Sequence, residues 1–327
     1  MAEPELGGAR HRRLARRLAD QREFVLCVIL LAIVGVVAVA DPGVLTLDNL
    51  SAVFLALSFQ AIVGIGMTNL LVSGGFDLSV GSTVGLTGAV TALALVSGVP
   101  VPAALLIGLA LGAAIGLANG LIIAKIGINP FITTLGMMGI VRGLLEVITK
   151  GQNIYGLPDA FKWIGQGKLL GIQHPILICL ALVMLGDLAL RKFRFFRQNY
   201  YIGGSEKAAV LSGINVDRMK IFNYVLTGLL AAVAGVLMAA RFGSVSVPMG
   251  KNQELQVITA VIIGGASLQG GEGTVLGALL GCILMSLIVS AMTLFNVDIY
   301  WNTLIIGATL LVAVLIDTLS KKKRSVA

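Results

Sequence analysis

The chain has 327 residues, 57% of them hydrophobic and only 12% charged, about half the charge of an ordinary soluble domain. Its net charge of +8 sits in short loops between apolar runs, which marks membrane topology and argues against nucleic-acid binding. Forty-one glycines and 6% aromatics suit closely packed membrane helices, where small residues let backbones approach.

In chain order, residues 1–23 form a basic lead carrying Arg10, Arg12, Arg13, Arg16, Arg17 and Arg22. The apolar run 24–40 follows. Its Ala38-Val-Ala40 ending resembles a signal-peptide cleavage site, but the many later runs favour an uncleaved first span. A span needs about 20 apolar residues. By that measure the runs are 24–40, 50–73, 79–97, 101–124, 130–149, 174–190, 220–242, 254–269, 275–294 and 299–318. The expected fold is therefore an all-α polytopic membrane protein with about ten transmembrane helices, a transmembrane domain over 24–318 and a basic tail over 319–327. Most of the 24 Lys/Arg lie in the loops 1–23, 125–129 and 191–219 and in the tail. Both termini are thus expected in the cytoplasm, with the tail's Lys321-Lys-Lys-Arg324 near anionic lipid.

Segment 150–173 is the largest outward loop. Its Gly156-Leu-Pro-Asp159, Trp163 and Lys168 suggest an ordered cap, or a plain connection. Two glycine-rich turns, Gly74-Gly-Phe-Asp-Leu-Ser-Val-Gly-Ser82 and Gly264-Gly-Ala-Ser-Leu-Gln-Gly-Gly-Glu-Gly273, occupy corresponding places. They are compatible with a duplicated scaffold or with chance.

The longest polar interruption is 199–216. Its middle reads as a two-turn helix: Ser205 suits the N-cap, Glu206 the positive end of the dipole and Gly213 the C′ position. So short a helix is unstable alone, which predicts a docking element on the cytoplasmic side. No Gly-x-x-x-x-Gly-Lys-Ser/Thr motif occurs, so a nucleotide that drives this chain must be bound by a partner.

Cys27, Cys179 and Cys282 lie in separate runs and read as small hydrophobes, while His11 and His174 stand alone. No nucleophile–base pair or metal cluster emerges, so the expectation is no enzyme, no metal and no cofactor. Arg142 and Glu146 share a helix face at i, i+4 and either line a polar route or neutralise each other. Gln60, Thr68, Asn69, Asn119, Thr133 and Thr134 are neutral polar residues in spans, suited to a solute's hydroxyls or to another helix. Asp77 either caps the third span or takes part in gating.

Five stretches together resemble the permease subunits of ribose-type ATP-binding cassette importers. They are Ser73-Gly-Gly-Phe-Asp-Leu-Ser-Val-Gly-Ser82, Asn129-Pro-Phe-Ile-Thr-Thr-Leu-Gly136 with Arg142-Gly143, Gly203-Gly-Ser-Glu-Lys-Ala-Ala-Val-Leu-Ser-Gly-Ile214, Ala260-Val-Ile-Ile-Gly-Gly-Ala-Ser-Leu-Gln-Gly-Gly-Glu-Gly273 and Leu311-Val-Ala-Val-Leu-Ile-Asp317. The resemblance implies a pair of permeases, identical or not, in the bacterial inner membrane. An extracytoplasmic sugar-binding protein would act above and an ATPase subunit, which binds ATP, below. It places the ATPase-coupling helix on Gly203, Gly204, Ser205, Glu206, Lys207, Ala208, Ala209, Leu211, Ser212 and Gly213. Two departures stand out: Ser205 where the family usually has Asn, and Val210 where it often has Arg. Tyr300-Trp301-Asn302 is similar to the branch holding autoinducer-2 and rhamnose permeases. The implied cargo is a monosaccharide or polyol. The alternatives are autoinducer-2, a nucleoside or an amino acid, or an ATP-independent secondary transporter.

Overall fold

The computed structural model describes residues 22–298 and 301–326. The lead 1–21, with His11, and Tyr300 lie outside these residues, as do the side chains of the tail from 319 on. Two cap signals open the described chain: Asp41 accepts from Gly43 N and Thr46 from Asn49 N. They separate helix α1 (Arg22–Ala40) from α2 (Leu47–Val72). Helices α3 (Val80–Val96), α4 (Val101–Leu121), α5 (Pro130–Thr149) and α6 (Asp159–Gln166) follow. Pro102 and Pro130 sit in the first turns of α4 and α5, where a missing N–H costs nothing. A hairpin of β1 (Lys168–Leu169) and β2 (Ile172–Gln173) leads to α7 (His174–Lys192). Then come α8 (Arg194–Gly204), α9 (Glu206–Leu211), α10 (Val216–Phe242), α11 (Gln253–Ile263), α12 (Val275–Leu294) and α13 (Trp301–Val326).

Helix α10 is the axis of the bundle and packs on α2, α3, α4 and α6. Glycines bring the helices to backbone contact. A Cβ on Gly112 would meet Ala232, one on Gly116 the backbone of Tyr224 and Val225, and one on Gly120 Ile221. Every one of these partners is on α10. This is the small-residue packing expected of helices in lipid. One core fills the space between α2, α10, α11 and α12, and a second lies between α3, α4, α6 and α10. Leu30 of α1 belongs to the first core, and Glu23 accepts from Thr274 at 2.7 Å. The first run thus packs into the bundle.

Six helices among the described residues are long and apolar enough to cross a membrane. The apolar stretches Leu26–Ala40, Val80–Val96, Gln253–Ile263 and Trp301–Leu315 are shorter. The expected run 254–269 is corrected by the structure. Its helix ends at Ile263, and the backbone turns at Gly265 with φ 97°. Eleven residues rise about 16 Å, half of a ~30 Å hydrocarbon core. Apolar composition alone does not reveal that break, because Gly264 and Gly265 count as neutral in a hydropathy window.

Segment 150–173 is an ordered cap. Phe161 is fully buried, and Gly165 lies against the backbone of Ala240 and Arg241. Trp163 meets His174 edge-on at 4.6 Å. His174 is therefore occupied within the cap.

Candidate functional site

The 199–216 stretch folds as two helices. α8 carries Phe195 and Phe196, which stack edge-on against Phe222 of α10 at 4.9 and 5.6 Å. α9 is the short capped helix expected from the sequence. Ser205 is extended, and its Oγ accepts from Ala208 N at 3.3 Å. At the other end Gly213 has φ 81° and donates to Val210 O, while Ile214 N donates to Ala209 O. That pair of bonds closes a Schellman motif. Ala209 is buried with Ile202, Val216 and Met219 and anchors the helix. Glu206 turns back to Lys220 at 2.8 Å. Val210 and Leu211 point outward, 56% and 89% exposed.

Three elements converge behind α9. Gly203 sits so close to the Val72 carbonyl and the Gly270-Gly271 backbone that no Cβ fits there. Gly271 N donates to Val72 O at 2.8 Å. The C-terminus of α2, the end of α8 and the 264–273 turn therefore share one junction. Beside it, three buried amides are bonded together. Asn199 Nδ2 donates to Asn69 Oδ1 at 3.2 Å and to Asn223 Oδ1 at 3.4 Å, and Asn223 Nδ2 returns a bond to Asn199 Oδ1 at 2.9 Å. Asn223 also reaches Ser73 Oγ at 3.3 Å. This network ties α8 to α2 and α10. A cavity of about 160 Å³ opens between α9 and the Gly74-Gly75 turn, bordered by Ser73, Ile123, Pro130, Glu206 and Lys220.

The polar residues expected along a route fall into separate environments. Asn69 belongs to the amide network. Asn119, fully buried, donates to Asp77 Oδ2 at 3.3 Å and Ser79 Oγ at 3.0 Å. Asp77 Oδ1 accepts from the N and Oγ of Ser79, which makes it a local turn-former at the entry to α3. Thr68 and Thr134 bond back to their own helices through Gly64 O and Pro130 O. Thr133 is buried with its hydroxyl unpaired. Gln60 crosses to α11 and donates to Gln256 Oε1 at 2.9 Å.

Arg142 and Glu146 share a helix face but form no ion pair among the described residues. Arg142 Nη1 donates instead to the carbonyls of Val247 and Met249, at 3.2 and 3.0 Å. Those carbonyls belong to the loop before α11 and have no ladder of their own, and irregular backbone at membrane depth needs such a partner. Glu146 is exposed. Arg142→Met is expected to destabilise the folded protein by about 1–3 kcal/mol, with Glu146→Gln near neutral. Thermal unfolding in detergent checks this, and equal losses would contradict it.

Sequence reasoning missed Asn199, Asn223 and Lys220 as members of the junction. Each is a lone polar residue without a local motif, and only the fold brings them to Asn69 and Glu206.

A helical bundle with a protruding capped helix and no nucleotide motif is the class of a polytopic permease. The family described as branched-chain amino acid transport system / permease component matches residues 49–314, and the chain belongs to it. The ribose import permease RbsC of Escherichia coli K12 is 38% identical over 92% of this chain and 94% of that protein. RbsC of Bacillus subtilis 168 is 39% identical over 88% and 90%. The autoinducer 2 import system permease LsrC of Enterobacter sp. 638 is 32% identical over 92% and 88%. No solved structure matches the chain.

Proposed function

We propose that this chain is the membrane-spanning permease subunit of an ATP-binding cassette importer for a monosaccharide or related polyol. The observation that carries the reading is the likeness to ribose import permeases over nearly the whole chain. A second permease subunit pairs with it in the bacterial inner membrane, and an extracytoplasmic binding protein delivers the solute. A separate subunit binds ATP and docks on α9. The exposed Val210 and Leu211 give α9 an apolar tip without a partner among the described residues, and Lys207 adds charge beside it. The motor is thus expected to present an apolar pocket.

With segment 244–263 counted as one crossing, a loop half and a helix half, this reading keeps ten crossings and puts both termini in the cytoplasm. Gln60, Asn119, Thr133, Thr134 and Arg142 lie on or beside the route, and Asn69 transmits from the junction. A sugar is favoured over an amino acid because the polar groups buried inside are mainly neutral amides and hydroxyls.

Glu206→Gln and Gly213→Val test the docking role. The Glu206–Lys220 bridge is at the surface and contributes at most about 1 kcal/mol, so Glu206→Gln should insert and stay folded. Both variants are expected to lose solute-stimulated ATPase activity and uptake. Normal stimulated activity in both would overturn the assignment of α9.

A further inference from the structure

The broken helix α11 places three glutamines together at membrane depth. Gln60 is at the middle of the 26-residue α2, about 20 Å of helical rise from either end. It donates to Gln256 across the α2–α11 interface. Gln253 precedes Gln256 by three residues and so shares its face of α11. Gln253 is only 6% exposed, and its Oε1 has no partner. Gln60 Oε1 is likewise unpaired.

Depth is set independently by the glycine contacts. Gly250, just before α11, packs on Gly81. Gly235 of α10 packs on Val84, one turn further along α3. Gly235 lies about 10 Å of rise below the outer end of α10, so α11 starts deeper than that. Gln60 and Gln256 are nonetheless partly exposed there, and Lys251 is exposed. Amides and an ammonium at that depth do not face lipid; they face a partner or a water-filled path.

We infer that Gln60, Gln253 and Gln256 form a hydrogen-bonding station on the aqueous route, contacting an uncharged, polyhydroxylated solute. Each amide can donate to one hydroxyl and accept from another. None carries charge, so the station passes the solute on without trapping it. The inference rests on the permease reading above and names its solute contacts.

The test uses the complete transporter, with ATPase and binding protein, in proteoliposomes with radiolabelled ribose. Gln60→Leu and Gln253→Leu are expected to lower uptake at least tenfold while stimulated ATPase activity stays within twofold of the parent. Uptake equal to the parent overturns the inference, and so does a parallel fall of uptake, ATPase activity and folded yield in both variants. In a background lacking Cys27, Cys179 and Cys282, Gln256→Cys should react with a membrane-impermeant, water-soluble thiol reagent. Failure to react overturns the inference even if the leucine variants do not fold. A parent that takes up ribose, with both leucine variants taking it up equally well, refutes the station alone. A parent that takes up no solute with its ATPase present refutes the permease reading.

Discussion

Gly203→Val is expected to stop uptake while Gly204→Ala, next to it, leaves uptake intact. The two glycines look equivalent in the sequence. In the fold, a Cβ on Gly203 would overlap the Val72 carbonyl oxygen and the Gly271 nitrogen, and would lie 3.0 Å from the Gly270 carbonyl carbon. All three are backbone atoms, so no side-chain rotation relieves the clash. Gly204 has nothing within 4 Å of the same position. Overpacking of this kind costs about 1–3 kcal/mol. Here the strain falls on the junction where α2, α8 and the 264–273 turn meet. The chain should still insert, since its spans are unchanged. Uptake and stimulated ATPase activity in proteoliposomes give the readout. Equal activity of the two variants would show that the close approach does not matter for transport.

Asn199→Leu is expected to be the most destabilising substitution on α8. It removes one fully buried amide and leaves two others short of partners, Asn69 keeping its bond to Ile65 O and Asn223 its bond to Ser73 Oγ. Asn69 loses its donor, and Asn223 loses both a donor and an acceptor. Each orphaned buried group costs about 1–3 kcal/mol. The loss also loosens α8 on α2 and α10, leaving the Phe195 and Phe196 contacts to Phe222, so α9 would follow the membrane helices less closely. Thermal unfolding in detergent should show a clear drop, with ATP hydrolysis uncoupled from uptake at temperatures where the protein stays folded. A stability within about 0.5 kcal/mol of the parent would show that the network carries no weight.

The legibility of these features in the sequence follows their range. The caps of α9 were readable at Ser205 and Gly213 because capping depends on a few consecutive residues. α8 was not, because Arg194, Arg197 and Gln198 make it look like a polar loop. Its helix is held by Phe222 and Asn223, which arrive from α10. The i, i+4 spacing put Arg142 and Glu146 on one helix, yet Arg142 turned to unpaired carbonyls more than 100 residues away. Hydropathy found an apolar segment at each of the ten runs but could not tell a full helix from a half one, as α11 shows. The glutamine cluster was visible only as Gln60. Its partners sit in a run whose Leu, Val and Ile hide the amides. The overall class was legible because composition, loop charge and glycine content all act over the whole chain.

Transport by this chain is expected to be powered by a separate ATPase docked at α9. The direct measurement is solute accumulation in proteoliposomes holding the permease and binding protein, with and without the cognate ATPase and ATP. Accumulation against a gradient only when both are present is the expected result. Accumulation of the same extent with the ATPase left out would contradict a separate motor.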